Sequence, residues 1–231
     1  MYTLIILYTT TVLFIIFSIY IFKGYYNNKK TSKFLFYLAL SVLFLALRQL
    51  FTGLSITFQK EYAFLFLLAN ITEAMFIGYL ILTSIQIYNP RKTYNYILYI
   101  VVGLFLIEDI MVPNPEPIFF KVQNIYSTGF TASTVIIYDT IITLLLFSII
   151  IFNFLRFAIK VKYDKFQRNK FLIVPIGILI AILSELLTEI YINKYTAIIG
   201  GLGYIAGVFA LAILLIKKKH HDDLWYNQNI F

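Results

Sequence analysis

Apolar runs of about twenty residues recur along the chain between short polar segments. Crossing about 30 Å of hydrocarbon takes roughly 20 helical residues, so each run has the length of a membrane helix. Seven are predicted: Leu4 to Phe22, Phe34 to Thr57, Tyr62 to Tyr88, Tyr94 to Val112, Thr134 to Ile159, Phe171 to Ile192 and Tyr195 to Ile216. Whole segments are apolar on all sides, as lipid contact requires, whereas a soluble helix would keep one solvated face. The pattern predicts an all-α, polytopic seven-helix bundle over residues 1–216 and a short tail over 217–231. The first run is too long and too weakly charged for a cleaved signal peptide, and no small-residue cleavage site follows it, so it is expected to be retained.

Composition agrees: 61% of residues are apolar and 13% charged, a balance that cannot cover a soluble surface. The lipid bilayer is therefore the first partner. The absence of cysteine excludes disulfides, thiolate metal sites and cysteine nucleophiles.

The net charge of +8 follows the sidedness of the helices rather than any nucleic-acid surface. Basic residues cluster after the first helix (Lys23, Lys29, Lys30, Lys33), the third (Arg91, Lys92), the fifth (Arg156, Lys160, Lys162, Lys165, Arg168, Lys170) and the seventh (Lys217, Lys218, Lys219). The opposite side carries Lys60, Lys121 and Lys194. By the positive-inside rule the N-terminus is expected outside and the C-terminus in the cytoplasm, in the cell membrane. Pro113, Pro115 and Pro117 keep the long outer connection extended, as a lid or as a plain solvated loop. The tail KKKHHDDLWYNQNIF is too short for a domain, so no attached output module is expected. Its His220 and His221 read as part of a solvated segment rather than a metal site, and its lysines would favour anionic headgroups.

Charges inside the apolar runs are the candidate chemistry. Arg48 lies about 21 Å along the second helix from its cytoplasmic end, with Ser41, Thr52 and Ser55 on the same face. Glu73, with Asn70 three residues before it, falls about 16 Å down the third. Glu108 and Asp109 end the fourth helix, Asp139 begins the fifth, and Glu185 and Glu189 sit one turn apart near the outer end of the sixth. An ionised acid at the bilayer centre costs on the order of 3 kcal/mol, so such groups face one another, water or a ligand. Arg48 is expected to pair with Glu73 or Glu185. Arg48, Glu73, Asp139, Glu185 and Glu189 form the predicted ligand-binding set, with a small cationic or zwitterionic ligand or a proton as occupant. The competing reading is a buried pair that only fixes helix packing, with the outer acids in the headgroup region.

Gly200, Gly203, Gly207 and Ala210 recur at helical spacing in the seventh helix and include a GxxxG, the mark of close helix packing. Pro175 and Gly177 are a candidate hinge in the sixth. No span contains histidine, and no hydrolase, zinc-protease or nucleotide-loop motif occurs, so neither enzymatic activity nor a cofactor is expected.

Seven helices with the N-terminus outside, together with the placement of Arg48, Glu73, Glu185 and Glu189, resemble the seven-helix sensor region of prokaryotic histidine kinases. The resemblance covers the whole chain and implies a receptor or sensor. With no kinase domain in the chain, it would signal to a cytoplasmic or membrane protein partner in trans. The same topology is similar to the three-plus-one-plus-three transporters of the sugar-transporting and PQ-loop families, although the Pro-Gln pair is missing; that likeness implies a small solute or ion transporter. A non-catalytic subunit of a larger membrane complex is the third reading and requires no pocket.

Overall fold

A computed structural model describes residues 2–27, 32–58, 62–88, 94–111, 133–161, 163–190 and 194–213. These residues form seven helices and, among the described residues, no strand: α1 Tyr2–Asn27, α2 Lys33–Thr57, α3 Tyr62–Gln86, α4 Tyr96–Met111, α5 Ser133–Lys160, α6 Lys165–Ile190 and α7 Lys194–Ile213. Five contain stretches long and apolar enough to cross a membrane: Leu4–Asn27, Lys33–Thr57, Phe64–Gln86, Thr140–Lys160 and Lys165–Ser184. The apolar parts of α4 and α7, Tyr96–Ile107 and Ile198–Ile213, are shorter. Five to seven helices can therefore span.

Helix ends differ from the apolar runs because a helix does not stop where its apolar residues stop. The polar flank Lys23–Asn27 continues α1. In α6 the start moves back to Lys165, because the Asp164 carboxylate accepts the backbone N–H groups of Phe166 and Gln167 and so satisfies two donors of the first turn. Ser32 caps α2 likewise, its hydroxyl accepting from the Leu35 N–H. By contrast α4 has only 16 residues, about 24 Å.

The helices pack in a ring that omits α4. Packing runs α1 to α2, α2 to α3, α3 to α5, α5 to α6 and α6 to α7, and α7 closes on α1. Outside this ring, α4 lies against α3 and, more thinly, α5. Leu98 fits over Gly78 there, and the Tyr138 hydroxyl donates to the Leu104 carbonyl.

The ring divides into two three-helix units, α1–α3 and α5–α7. Lys33 to Lys165 and Tyr62 to Lys194 are each 132 positions, and Tyr2 to Ser133 is 131. Burial repeats in the same register: Leu38, Ala39, Val42, Leu45 and Ala46 are buried in α2, and Lys170, Phe171, Val174, Gly177 and Ile178, each 132 positions on, are buried in α6. The third helix of each unit touches the first helix of the other, so the packing has an approximate twofold pattern about the centre of the ring.

Small residues set the approach inside the second unit. A Cβ added at Gly203 would collide with the Ser184 side chain, and one at Gly177 with Ala210. At Gly207 it would stand 3.1 Å from the Ala181 Cβ. Gly203 and Gly207 therefore stand where α7 approaches α6, Ala210 meets Gly177 across the same contact, and Gly200 is buried as well. Pro175 lies inside α6, and a Cβ at the nearby Gly177 would meet Ala210 of α7.

Candidate functional site

Arg48 lies just past the middle of α2 and Glu73 at the middle of α3. Because α2 and α3 pack closely along their length, the two side chains meet, and Arg48 Nε donates to Glu73 Oε2 at 2.7 Å. The side chains are 19% and 17% exposed, which is largely withdrawn from the surroundings. Such a pair is much stronger than the same pair in water, and correspondingly costly to split. Of the two partners expected from sequence for Arg48, the structure selects Glu73.

The pair borders a small cavity at the centre of the ring. Its volume is about 40 Å³. One water needs roughly 10–15 Å³ of such space, so the cavity as it stands holds a few waters at most. Leu45 and Arg48 come from α2, and Glu73, Phe76 and Leu80 from α3. The far wall is Phe147 of α5, Ile178, Ala181 and Ile182 of α6, and Gly207, Val208 and Leu211 of α7. The cavity therefore lies between the two units at about mid-depth, with a charged pair on one side and an apolar wall on the other. Gly207 takes part twice, admitting α6 closely and lining the cavity.

The remaining expected members fall out differently. The side chains of Glu108, Asp109, Asp139, Glu185 and Glu189 lie outside the described residues. Ser41 and Ser55 are buried on the Arg48 face, but their hydroxyls donate to Leu38 and Thr52 carbonyls of their own helix. They complete the packing of α2 rather than line the cavity. Asn70 is buried one turn before Glu73. The tail histidines lie outside the described residues, and among the described residues no group of three or more His, Asp or Glu could hold a metal ion.

A second polar system was not expected from sequence. Ser84 is fully buried on α3, and Asn153 Nδ2 of α5 donates to its Oγ at 2.9 Å. The Tyr88 hydroxyl donates to the Asn153 carbonyl at 3.2 Å, and the Arg156 guanidinium stands 5.3 Å from the centre of the Tyr88 ring. These contacts tie α3 to α5 at the lysine-rich end. The signal was present in Asn153, an amide inside an apolar run, but its partner is 69 residues away. A shallow depression lined by Tyr163, Asp164, Lys165, Phe166 and Asn169 lies at the same end, where the Asp164 carboxylate is already used as a helix cap.

The described residues form a helical, apolar bundle in which five to seven helices are long and apolar enough to span a membrane. No protein-family model, curated protein or solved structure matches the chain.

Proposed function

We propose that the protein is a receptor-like integral membrane bundle that takes up a small charged ligand at Arg48 and Glu73 from the outer face and passes occupancy to a protein partner. The lysine and arginine bias supports an orientation with the N-terminus outside and the C-terminus in the cytoplasm. The observation that carries the reading is the Arg48–Glu73 pair at the edge of a mid-depth cavity walled by five helices. Ionisable groups at that depth are costly, and a pair that merely fixed packing would not need a space beside it. Asp139, Glu185 and Glu189 belong to the proposal as an outer approach to the pair.

The test is thermal unfolding of the purified protein against small amines, amino acids and a range of pH. A ligand at about 100 times its Kd stabilises the native state by about 2.7 kcal/mol, which shifts the midpoint visibly. The shift is expected in the native protein and absent when the pair is replaced by apolar side chains, Arg48→Met with Glu73→Leu. A panel without any shift, or one that shifts both proteins alike, overturns the reading. Cysteines introduced singly at Ser127 and Gln167 test the orientation: an impermeant thiol reagent should label the first and not the second in intact cells, and the reverse pattern inverts the model.

One observation favours a carrier as the second reading. In repeat-built transporters the substrate site lies near the midplane at the interface of the repeats, which is where this cavity sits between α1–α3 and α5–α7. Uptake of the same ligand into proteoliposomes would separate carrier from receptor.

A further inference from the structure

One face of α5 is apolar along half its length and then ends in two cations. Tyr138, Leu145, Ile149, Phe152, Arg156 and Lys160 follow one another at spacings of three, four or seven residues and so share that face. At its outer end α4 covers it, where the Tyr138 hydroxyl donates to the Leu104 carbonyl. From Leu145 to Lys160 each of the five is exposed.

Lipid tails satisfy an exposed apolar strip, but the cations at its end need more. The apolar stretch Thr140–Lys160 stops at Lys160, so Arg156 lies one turn inside it. Both cations are held at one ring: the Arg156 guanidinium stands 5.3 Å and the Lys160 ammonium 5.9 Å from the centre of Tyr88. That ring is fixed in turn, with its hydroxyl donating to the Asn153 carbonyl and Phe157 meeting it edge-on at 5.7 Å. Two like charges one turn apart repel. Among the described residues neither has a carboxylate partner, and the Asp164 carboxylate at the same end caps α6.

Two other helices supply the comparison. Exposed Val12, Ile16 and Ile19 lead to Lys23 on α1, and exposed Leu183, Ile176 and Leu172 lead to Lys165 on α6. Each of those strips ends in a single lysine, whose flexible stem lets it extend into water. On α5 the pair is anchored to an aromatic ring, and one member is a guanidinium, whose fork of donors matches a phosphate. From Arg156 to Leu145 the strip rises about 16 Å, close to the depth of one hydrocarbon leaflet, about 15 Å.

We infer that the Leu145–Lys160 face of α5 binds an anionic phospholipid, its phosphate held by Arg156 and Lys160 beside the Tyr88 ring and an acyl chain laid along Phe152, Ile149 and Leu145. An acidic protein segment would satisfy the cations but make no use of the strip below them. The inference rests on the bundle lying in a bilayer and is independent of the reading of the Arg48–Glu73 centre.

Dioleoyl phosphatidylglycerol is the probe, and dioleoyl phosphatidylcholine its zwitterionic match. Titrated into the purified full chain in neutral detergent and followed by native mass spectrometry, the anionic lipid is expected to fill one saturable site, and the zwitterionic lipid to bind more weakly by about tenfold. Arg156→Gln with Lys160→Gln should weaken the anionic lipid by about tenfold or more. Lys23→Gln with Lys165→Gln, which removes the same charge from the other two strips, should not. Phe152→Asn keeps both cations and should weaken the lipid several-fold, so the strip is tested even where the neutralised pair fails to fold. Glycerol phosphate, a headgroup without chains, should not compete. Equal affinity for the two lipids, or equal loss from the two neutralised pairs, overturns the site and leaves only diffuse surface charge. Unchanged binding in Phe152→Asn overturns the acyl-chain strip. Competition by glycerol phosphate would make this a site for free anions, and tighter binding of an oligoglutamate peptide a surface for a protein partner; either result overturns the lipid.

Discussion

In the first unit, side chains bridge helices through polar atoms: the Tyr8 and Thr57 hydroxyls are 3.1 Å apart, the Ser18 hydroxyl reaches the Ala39 carbonyl at 2.9 Å, and Arg48 meets Glu73. In the second unit, α6 and α7 come together where Gly177 and Gly203 leave no room for even one added carbon and Gly207 leaves very little. The two units have nearly the same spacing of helices but different attachments. Without a hydrophobic driving force between helices in lipid, association depends on close packing and on interhelical hydrogen bonds; the first unit combines both, and the α6–α7 contact of the second is marked by glycines. The consequence is functional as well as structural. A unit joined by polar side chains can present charge to a central cavity, and a unit joined by close packing can act as a rigid apolar wall.

The contrast breaks most sharply at Gly203. Gly203→Leu puts a branched side chain where the Ser184 side chain already sits, and overpacking of this kind costs about 1–3 kcal/mol, with more where backbone must separate. The expected outcome is a large fall in the thermal midpoint of the purified protein. Gly103 has nothing within 4 Å of the place its Cβ would occupy, so Gly103→Ala is the matching control and should leave the midpoint within error. If the two substitutions behaved alike, the close packing of the second unit would not be what holds it.

The next effect in size belongs to the charged pair. Arg48→Ala should destabilise the protein by about 3 kcal/mol, because Glu73 keeps its charge in a largely enclosed site. Adding Glu73→Ala should recover part of that loss, a coupling on the order of 1–3 kcal/mol in a double-mutant cycle. Strictly additive losses would mean that the first unit does not draw on the pair.

Much of the fold is legible in the sequence. Length and hydropathy found each helix to within a few residues, except at α1 and α6, where polar residues prolong the helix beyond its apolar run. The sequence offered Glu73 and Glu185, two acids inside apolar runs, as partners for Arg48; choosing Glu73 needed the knowledge that α2 and α3 pack side by side. Gly203 and Gly207 announced themselves by spacing, but Gly53 under the Tyr8 ring, Gly78 under Leu98 and Gly201 against Ile6 did not, since an isolated glycine carries no sign of which helix approaches it. The repeat of the two units is hidden for a similar reason. Position and burial repeat at 132, but the position matching Arg48 is Ile180 and that matching Glu73 is Ile205, so the chemistry does not repeat with the architecture.

Ser18 gives the smallest and most discriminating test of the contrast. Its hydroxyl is buried and donates across to α2, yet the Ala39 carbonyl lies inside a helix and has a backbone N–H partner in any case. Removing the hydroxyl therefore strands no acceptor, and hydrogen bonds between membrane helices average about 0.6 kcal/mol. Ser18→Ala should lower stability by about that amount. In α5 the corresponding buried position is Ile150, whose place in the second unit is filled by packing alone. Ile150→Val removes one methylene and should cost about 0.5–1.5 kcal/mol. If Ser18→Ala cost several times more than Ile150→Val, Ser18 would be an anchor of the α1–α2 contact rather than one small part of it. If it cost nothing measurable, the polar attachment of the first unit would reduce to Tyr8, Thr57 and the Arg48–Glu73 pair, and the centre would carry a larger share of holding α2 against α3.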